Sequence, residues 1–248
     1  MSSGNSKNYA SNYPLRGLKM SPFEGGVRVV GLVWSARLHN CTHYWDGYMH
    51  VTDWLPTLLS AAGLEVPSDI DGRNQWDDIN ANADSNRSIM FEIDDYTGYA
   101  SITLGEYKLI TGNVTKEYST YQGDNFKGII GEAPSYTDVI MNSTIYRILD
   151  SIGMDYDISV REEMILNCDD IPSRICYPEN DIVCLYNIIE DPCETTELSE
   201  ELPELVLTMK KILDTEMGKR IPRVVPLYRD PLSAPSHYNY TWAPWIKS

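Results

Sequence analysis

The chain has 248 residues, and 36 acidic against 20 basic side chains leave it a formal charge of −16 at pH 7. That balance argues against nucleic acid and anionic membrane surfaces as partners, because both need cationic patches. A hydrophobic fraction of 42% fits a globular protein of one large or two small domains, and no apolar run approaches the roughly 18 residues of a membrane-spanning helix.

Against this acidic background, Pro14 to Trp34 (PLRGLKMSPFEGGVRVVGLVW) places Arg16, Lys19 and Arg28 around a Glu24-Gly25-Gly26 turn. Glycine backbone and fixed cations at the mouth of a buried strand make an anion site. The alternative is a loop whose cations are simply solvated. Val29 to Trp34 is a continuous apolar run and predicts a strand buried on both faces. Thr52 to Ala62 predicts a helix, with Trp54, Leu55, Leu58, Leu59 and Ala62 on one apolar stripe and Gly63 as its stop. Residues 66–88 read as a connecting loop. Ser88 to Ile93 and Ala100 to Thr111 are strand-like, with a hairpin turn at Leu104 to Tyr107. Residues 112–181 are rich in Tyr, Ser, Asp and Gly and read as a surface insertion, with a short helix near Thr137 to Ile152. Ile182 to Ile188 predicts another strand. Pro203 to Met217 is the clearest helix, capped at or near Ser199, with Leu205, Val206, Met209, Ile212 and Leu213 as the buried stripe. From Ile221 the chain is proline-rich and aromatic and reads as an extended strap. The order predicts an α/β fold that becomes α+β toward the C-terminus.

Several motifs recur in a fixed order. PLRGLKMSPFEGGVRVVG is followed by His50 to Thr57 (HVTDWLPT), Asp71-Gly72 with Trp76, and Gly105 to Ile110 (GEYKLI). Leu185-Tyr186-Asn187 with Asp191-Pro192, and Trp242 to Trp245 (WAPW), complete the series. This series resembles the arylsulfatases, closest to the arylsulfatase B (N-acetylgalactosamine-4-sulfatase) type, in their C-terminal portion only. The resemblance implies the end of a sulfatase or alkaline-phosphatase-like α/β domain at residues 1–95. A smaller domain at 96–248 would follow, an antiparallel sheet packed on a C-terminal helix, with an insertion at about 113–181.

The resemblance also implies the chemistry, that of a sulfuric ester hydrolase acting on sulfate esters of glycans. In that family a hydrated formylglycine attacks sulfur, a divalent cation (usually calcium) binds the sulfate oxygens, and a histidine protonates the leaving oxygen. A lysine at the position of Lys19 contacts the sulfate and is both the catalytic and the substrate-binding residue that carries over. The nucleophile motif C-x-P-S-R has no counterpart, because Asp170-Ile171-Pro172-Ser173-Arg174 lacks its cysteine. The N-terminal aspartate pair and the Asp-Asn-Gly metal motif are also missing, so the ligands for calcium are expected outside this chain, which alone should be inactive. The competing reading is a non-catalytic truncated paralogue, a binding or vestigial protein. A related phosphate-ester hydrolase is disfavoured by the EGG-x-R and D-W-x-P-T matches. Arg16 and Arg28 read as structural, either one pairing with Glu24. His39 and His43 lack a carboxylate pair at ligand spacing, and His50 reads as structural.

Cys168, Cys176, Cys184 and Cys193 cluster, and Cys41 stands apart. The cluster's spacings are too long for a zinc knuckle. Four cysteines allow three pairings, of which Cys184–Cys193 and Cys168–Cys176 are favoured, with four reduced thiols as the alternative. Sequons stand at Asn40, Asn86, Asn113, Asn142 and Asn239. They agree with the lysosomal or secreted location that the resemblance implies. No signal peptide precedes the first motif.

Overall fold

Ile89–Asp94 (β1), Tyr99–Leu104 (β2), Tyr107–Gly112 (β3) and Cys184–Asn187 (β4) form one antiparallel sheet in the order β1-β2-β3-β4. The computed structural model describes residues 12–39, 44–120, 136–154, 164–166, 168, 174–178, 182–222 and 230–245. These fall in two compact units, Met1–Gly218 and Lys219–Ser248. The hairpin turn lies where the sequence predicts it, with Leu104 opposite Tyr107. The register aligns Phe91, Ile102, Leu109 and Leu185 across all four strands. Their face is covered by Pro203–Met217 (α7), whose Met209 and Leu213 are buried among Ala100, Ile102, Leu109 and Leu185. The helix matches its predicted bounds, but Leu202 is its N-cap and makes no side-chain cap bond.

The opposite face carries Tyr99, Ile110, Cys184 and Tyr186, and Phe23 closes over them. Phe23 belongs to the PLRG segment, which therefore packs on the sheet. Here Glu24–Val27 forms a four-residue helix (α1), not an open turn. Its glycines answer to space rather than to an unusual backbone angle. A Cβ on Gly25 would lie 2.5 Å from the Gly17 carbonyl and 2.6 Å from that of Arg16.

Two apolar features depart from expectation. Among the described residues Val29 to Trp34 forms no strand, and Val30, Leu32 and Trp34 are 84%, 88% and 87% exposed. A strand is buried only if neighbours flank it, and among the described residues none does. The helix predicted at Thr52 to Ala62 forms as a 3-10 turn, Val51–Asp53, continuing into Trp54–Ala62 (α2), and ends at Gly63 with φ 74°. Yet the side it buries is Asp53, Pro56 and Thr57. Leu55 and Leu58, assigned to the core stripe, are more than half exposed.

Beyond α2, the helix Trp76–Ala81 (α3) buries Trp76 and Ile79, and Lys116–Thr120 (α4) follows β3. The single short helix expected near Thr137 to Ile152 is two, Tyr136–Met141 (α5) and Thr144–Ser151 (α6). Ser143 caps α6 by accepting from the Tyr146 amide at 3.1 Å, which restarts the helix instead of extending it. The disulfides join Cys168 to Cys193 and Cys176 to Cys184, not the favoured pairing. Cys184 points to the Phe23 face from inside β4, where Cys176 packs against it. Cys193 lies beyond the Asp191-Pro192 turn and meets Cys168 with Cα atoms 6.0 Å apart. Asn40, Cys41, His43 and Asp170 to Ser173 lie outside the described residues. The second unit, by itself, contains two 3-10 turns, Pro231–Ser233 and Pro235–Tyr238.

Candidate functional site

The three cations of the PLRG segment have three different fates. Arg16 is buried: its guanidinium donates to the Tyr186 hydroxyl and the Glu194 carbonyl at 2.9 Å each, to the Cys176 carbonyl at 2.6 Å, and to the Ser119 carbonyl. It also lies 4.0 Å over the Phe23 ring, a cation–π contact in a desolvated place. Of the two arginines expected as partners for Glu24, it is Arg28, exposed, that pairs with it, at 3.8 Å across one turn. Lys19 stays exposed, with no ion pair to a described residue.

Lys19 sits at the tip of a tight turn. The Ser21 amide donates to the Leu18 carbonyl at 3.0 Å, and the Leu18 amide to the Ser21 hydroxyl at 3.2 Å. Met20 has φ 77°, the sign that the third position of a type II turn requires. Leu18 and Ser21 are both buried. A flexible side chain is thus presented from a backbone anchored at both ends.

Beneath the segment lies a charge network that the sequence reading missed. Lys108, on β3, is 2% exposed; its ammonium donates to Glu24 at 2.8 Å and pairs with Glu194 at 3.0 Å. Glu194 follows the Asp191-Pro192 turn in the left-handed region at φ 54° and accepts from the Glu24 amide at 2.6 Å. Glu92, on β1, lies on the same face two strands away, as the register of Met90, Thr103 and Lys108 requires. Burial opposes the Lys108 charge, but Glu194 and Glu24 outweigh it and hold its pKa above the ordinary value. Burial likewise pushes the Glu194 carboxyl up, against the pull of Lys108. Glu92 is pushed up to about 7 by burial; Lys108 opposes that, and Glu24, Asp94 and Glu194 add to it. A charge inside a strand of otherwise buried residues was the available signal, since a lysine there needs a partner. Nothing local in the sequence names that partner, 84 residues away.

A second buried pair supports α2. Asp53 is fully buried and accepts two bonds from Arg87, together with the Arg73 amide at 2.7 Å and the His50 amide at 2.8 Å. Burial raises its carboxyl, yet these donors win and hold it below the usual range. His50 in turn caps the 3-10 turn through its ring and so is structural. The His39 amide donates to Asn80 at 2.8 Å.

Among the described residues no group of three His, Cys, Asp or Glu side chains is placed to hold a metal ion. The glutamates nearest such an arrangement, Glu24, Glu92 and Glu194, share their face with an ammonium, which a divalent cation would have to displace. These residues do not fit the calcium ion that the resemblance implies.

Three of the motifs, the PLRG–EGG segment, GEYKLI and the Asp191-Pro192 turn, therefore meet in one place. This chain is 28% identical over 258 residues to arylsulfatase J of Mus musculus, across 96% of its own length. The chain is similar to an arylsulfatase. It spans 37% of that relative. No family model matches. Two solved structures share parts of the chain path. One comes from work on the metabolism of multiple glycosaminoglycans by Bacteroides thetaiotaomicron: TM-score 0.46, 12% identity, 82% of this chain and 32% of that one. The other is a complex with its substrate D-glucosamine-2-N,6-O-disulfate: TM-score 0.34, 16% identity, 67% of this chain and 23% of that one. At these TM-scores neither carries weight for function. The arylsulfatase-like motifs gain a physical reason from the contacts above. The glutamate of EGG, the lysine of GEYKLI and the residues after Asp191-Pro192 are partners in one buried network, and the arginine of PLRG bonds the backbone of that network.

Proposed function

We propose that this chain is the C-terminal, sulfate-contacting part of a sulfuric ester hydrolase of the arylsulfatase type, arylsulfatase B-like, acting on sulfate esters of glycans. The observation that carries the reading is the Lys19 turn. Of the two exposed cations in the segment, Arg28 pairs with Glu24, whereas Lys19 has no ion pair to a described residue and stands on an anchored backbone. In the reaction the ammonium would sit where charge builds on the sulfate oxygens, and a compact point charge suits that role. The nucleophile and the calcium ligands are assigned to polypeptide outside these residues, so the chain alone is assigned no activity. The division near residue 95 belongs to the same proposal.

A lysosomal or secreted location fits two disulfides, which persist in oxidising compartments. The sequon asparagines Asn113, Asn142 and Asn239 are exposed and accessible to glycosylation. Asn86 is tied into the fold through bonds to Asn74 and Gln75.

A chimera tests the proposal. Residues 12–248 of this chain replace the matching part of mouse arylsulfatase J, and hydrolysis of an aryl sulfate ester is followed. The chain alone should give no turnover and the chimera should turn over. A folded but inactive chimera would contradict the sulfatase reading and favour the non-catalytic one.

A further inference from the structure

The charge network under the PLRG segment gathers more acid than its cations balance. Glu24, Glu92 and Glu194 stand over one face of the sheet with Lys108 among them and Arg28 at the rim, beside Glu24. The other groups that face them supply no further cation. Asp94, on β1, adds an acid and accepts the Tyr96 amide at 2.7 Å. Tyr99, on β2, and Tyr48 are phenols that burial holds above their ordinary values. Arg16, beside Tyr186, gives its guanidinium to carbonyls and to the Tyr186 hydroxyl. One carboxylate is left over, and a buried carboxylate without a cation takes a proton. Burial raises both Glu92 and Glu194 accordingly, and the proton belongs to the cluster as a unit.

We propose that the Lys108 cluster is a proton-operated clamp on the segment that carries Lys19: with the proton bound it holds α1 to the sheet, and without it Glu24 is released toward Arg28. The contacts of Glu24 make it the jaw. Its amide donates to Glu194 at 2.6 Å and its carboxylate accepts from Lys108 at 2.8 Å. From there the hold passes along the backbone. The Gly25 amide donates to the Arg16 carbonyl at 2.6 Å, and a Cβ on Gly26 would lie 2.6 Å from the Leu18 carbonyl, at the base of the Lys19 turn. With Glu92 protonated, the ammonium serves Glu24 and Glu194. With Glu92 ionised, a third carboxylate competes for it and like charges repel. Glu24 is the member that leaves, because it rides on the segment and already has Arg28 on its outer side. The sign follows from the raised folded value of Glu92: the hold is complete below its ordinary value of 4.5 and is lost as pH rises through about 7. The consequence for Lys19 rests on the sulfatase reading; the clamp itself does not.

The test is amide hydrogen exchange of the chain at pH 5.5 and pH 8, corrected for the intrinsic pH dependence of exchange. Protection at residues 16–28 should fall about 10-fold or more toward pH 8. It should fall below that of α7, because the segment opens while the helix stays packed on the other face of the sheet. Glu92→Gln should remove most of this fall, since its amide stands for the protonated carboxyl at both pH values. Glu201→Gln, at the surface beside Arg174, should keep it. Equal protection at the two pH values, opening of the segment only together with α7, or the same fall in Glu92→Gln would overturn the clamp. In the chimera with mouse arylsulfatase J, kcat should fall over the same pH range, and Glu92→Gln should carry that fall to higher pH. A kcat profile that Glu92→Gln does not move would overturn the link to Lys19. The expected exchange in a chimera without turnover would leave the clamp standing and remove the enzymatic reading.

Discussion

Glu194 is held in a left-handed backbone conformation that glutamate adopts at a cost of about 1–2 kcal/mol. The contacts it makes there, to Lys108 and to the Glu24 amide, explain why the strain persists. Lys108→Met should remove the cation and leave two carboxylates buried, lowering stability by about 3–5 kcal/mol. Urea unfolding at pH 7 measures this, and a loss below about 1 kcal/mol would mean that the network is peripheral. Glu92 gives the pH dependence. Its folded pKa of about 7 lies above its ordinary value of 4.5, so folding takes up a proton between those values. Its contribution is fully present below the ordinary value and is lost as pH rises through about 7. Glu92→Gln should therefore stabilise the chain by about 1–2 kcal/mol at pH 8 and do little at pH 4.5. Melting curves at the two pH values decide it, and an equal effect at both would contradict the assignment. Asp53 has the opposite sign: its carboxyl is held low, so its contribution is lost only as pH falls below the ordinary carboxylate range.

At the scale of elements, burial follows what lies over each surface. Helix α7 has a sheet beneath its stripe, so Leu213→Ala should cost about 2–5 kcal/mol. Thermal unfolding checks it; a change under about 1 kcal/mol would mean that the site collapses or is not core. Helix α1 is fixed by close approach. Gly25→Ala would drive a Cβ into two carbonyls and should loosen the whole PLRG segment, visible as faster amide exchange at residues 16–28. Unchanged exchange there would contradict the packing. The bounds of α7 and the hairpin were legible because both come from local patterns, a 3.6-residue repeat and a Gly-containing turn between two strands. The exposure of Leu55 and Leu58 was not. Their spacing marks one face of a helix, but a stripe says nothing about whether a second layer covers it. The same holds for Val29 to Trp34, whose composition describes a covered strand.

Across the whole molecule, long-range partnerships were the part the sequence could not supply. The motifs were readable one by one, yet their meeting at Lys108 depends on the sheet register and on the turn after β4. The disulfide pairing failed for the same reason: Cys184–Cys193 was favoured as a staple between the strand and its Asp-Pro turn, whereas the strand carries Cys184 toward Cys176 and the turn carries Cys193 toward Cys168. Non-reducing peptide mapping should recover Cys168–Cys193 and Cys176–Cys184, and a Cys184–Cys193 peptide would contradict the packing of β4. Lys19 was legible as a candidate because its motif is continuous. Its standing as the exposed cation with no ion pair to a described residue was not, since Arg16 is withdrawn by residues more than 100 positions away and Arg28 pairs with Glu24.

The measurement that bears most directly on this account is the turnover of Lys19→Ala in the chimera, with Lys211→Ala on the outer side of α7 as the control. The account predicts that kcat falls about 100-fold, the size expected for removing one preorganised group at a developing anion, with no change in melting temperature and with the control unaffected. A Lys19→Ala chimera that keeps its kcat would contradict it, leaving the anchored turn without a role at the sulfate.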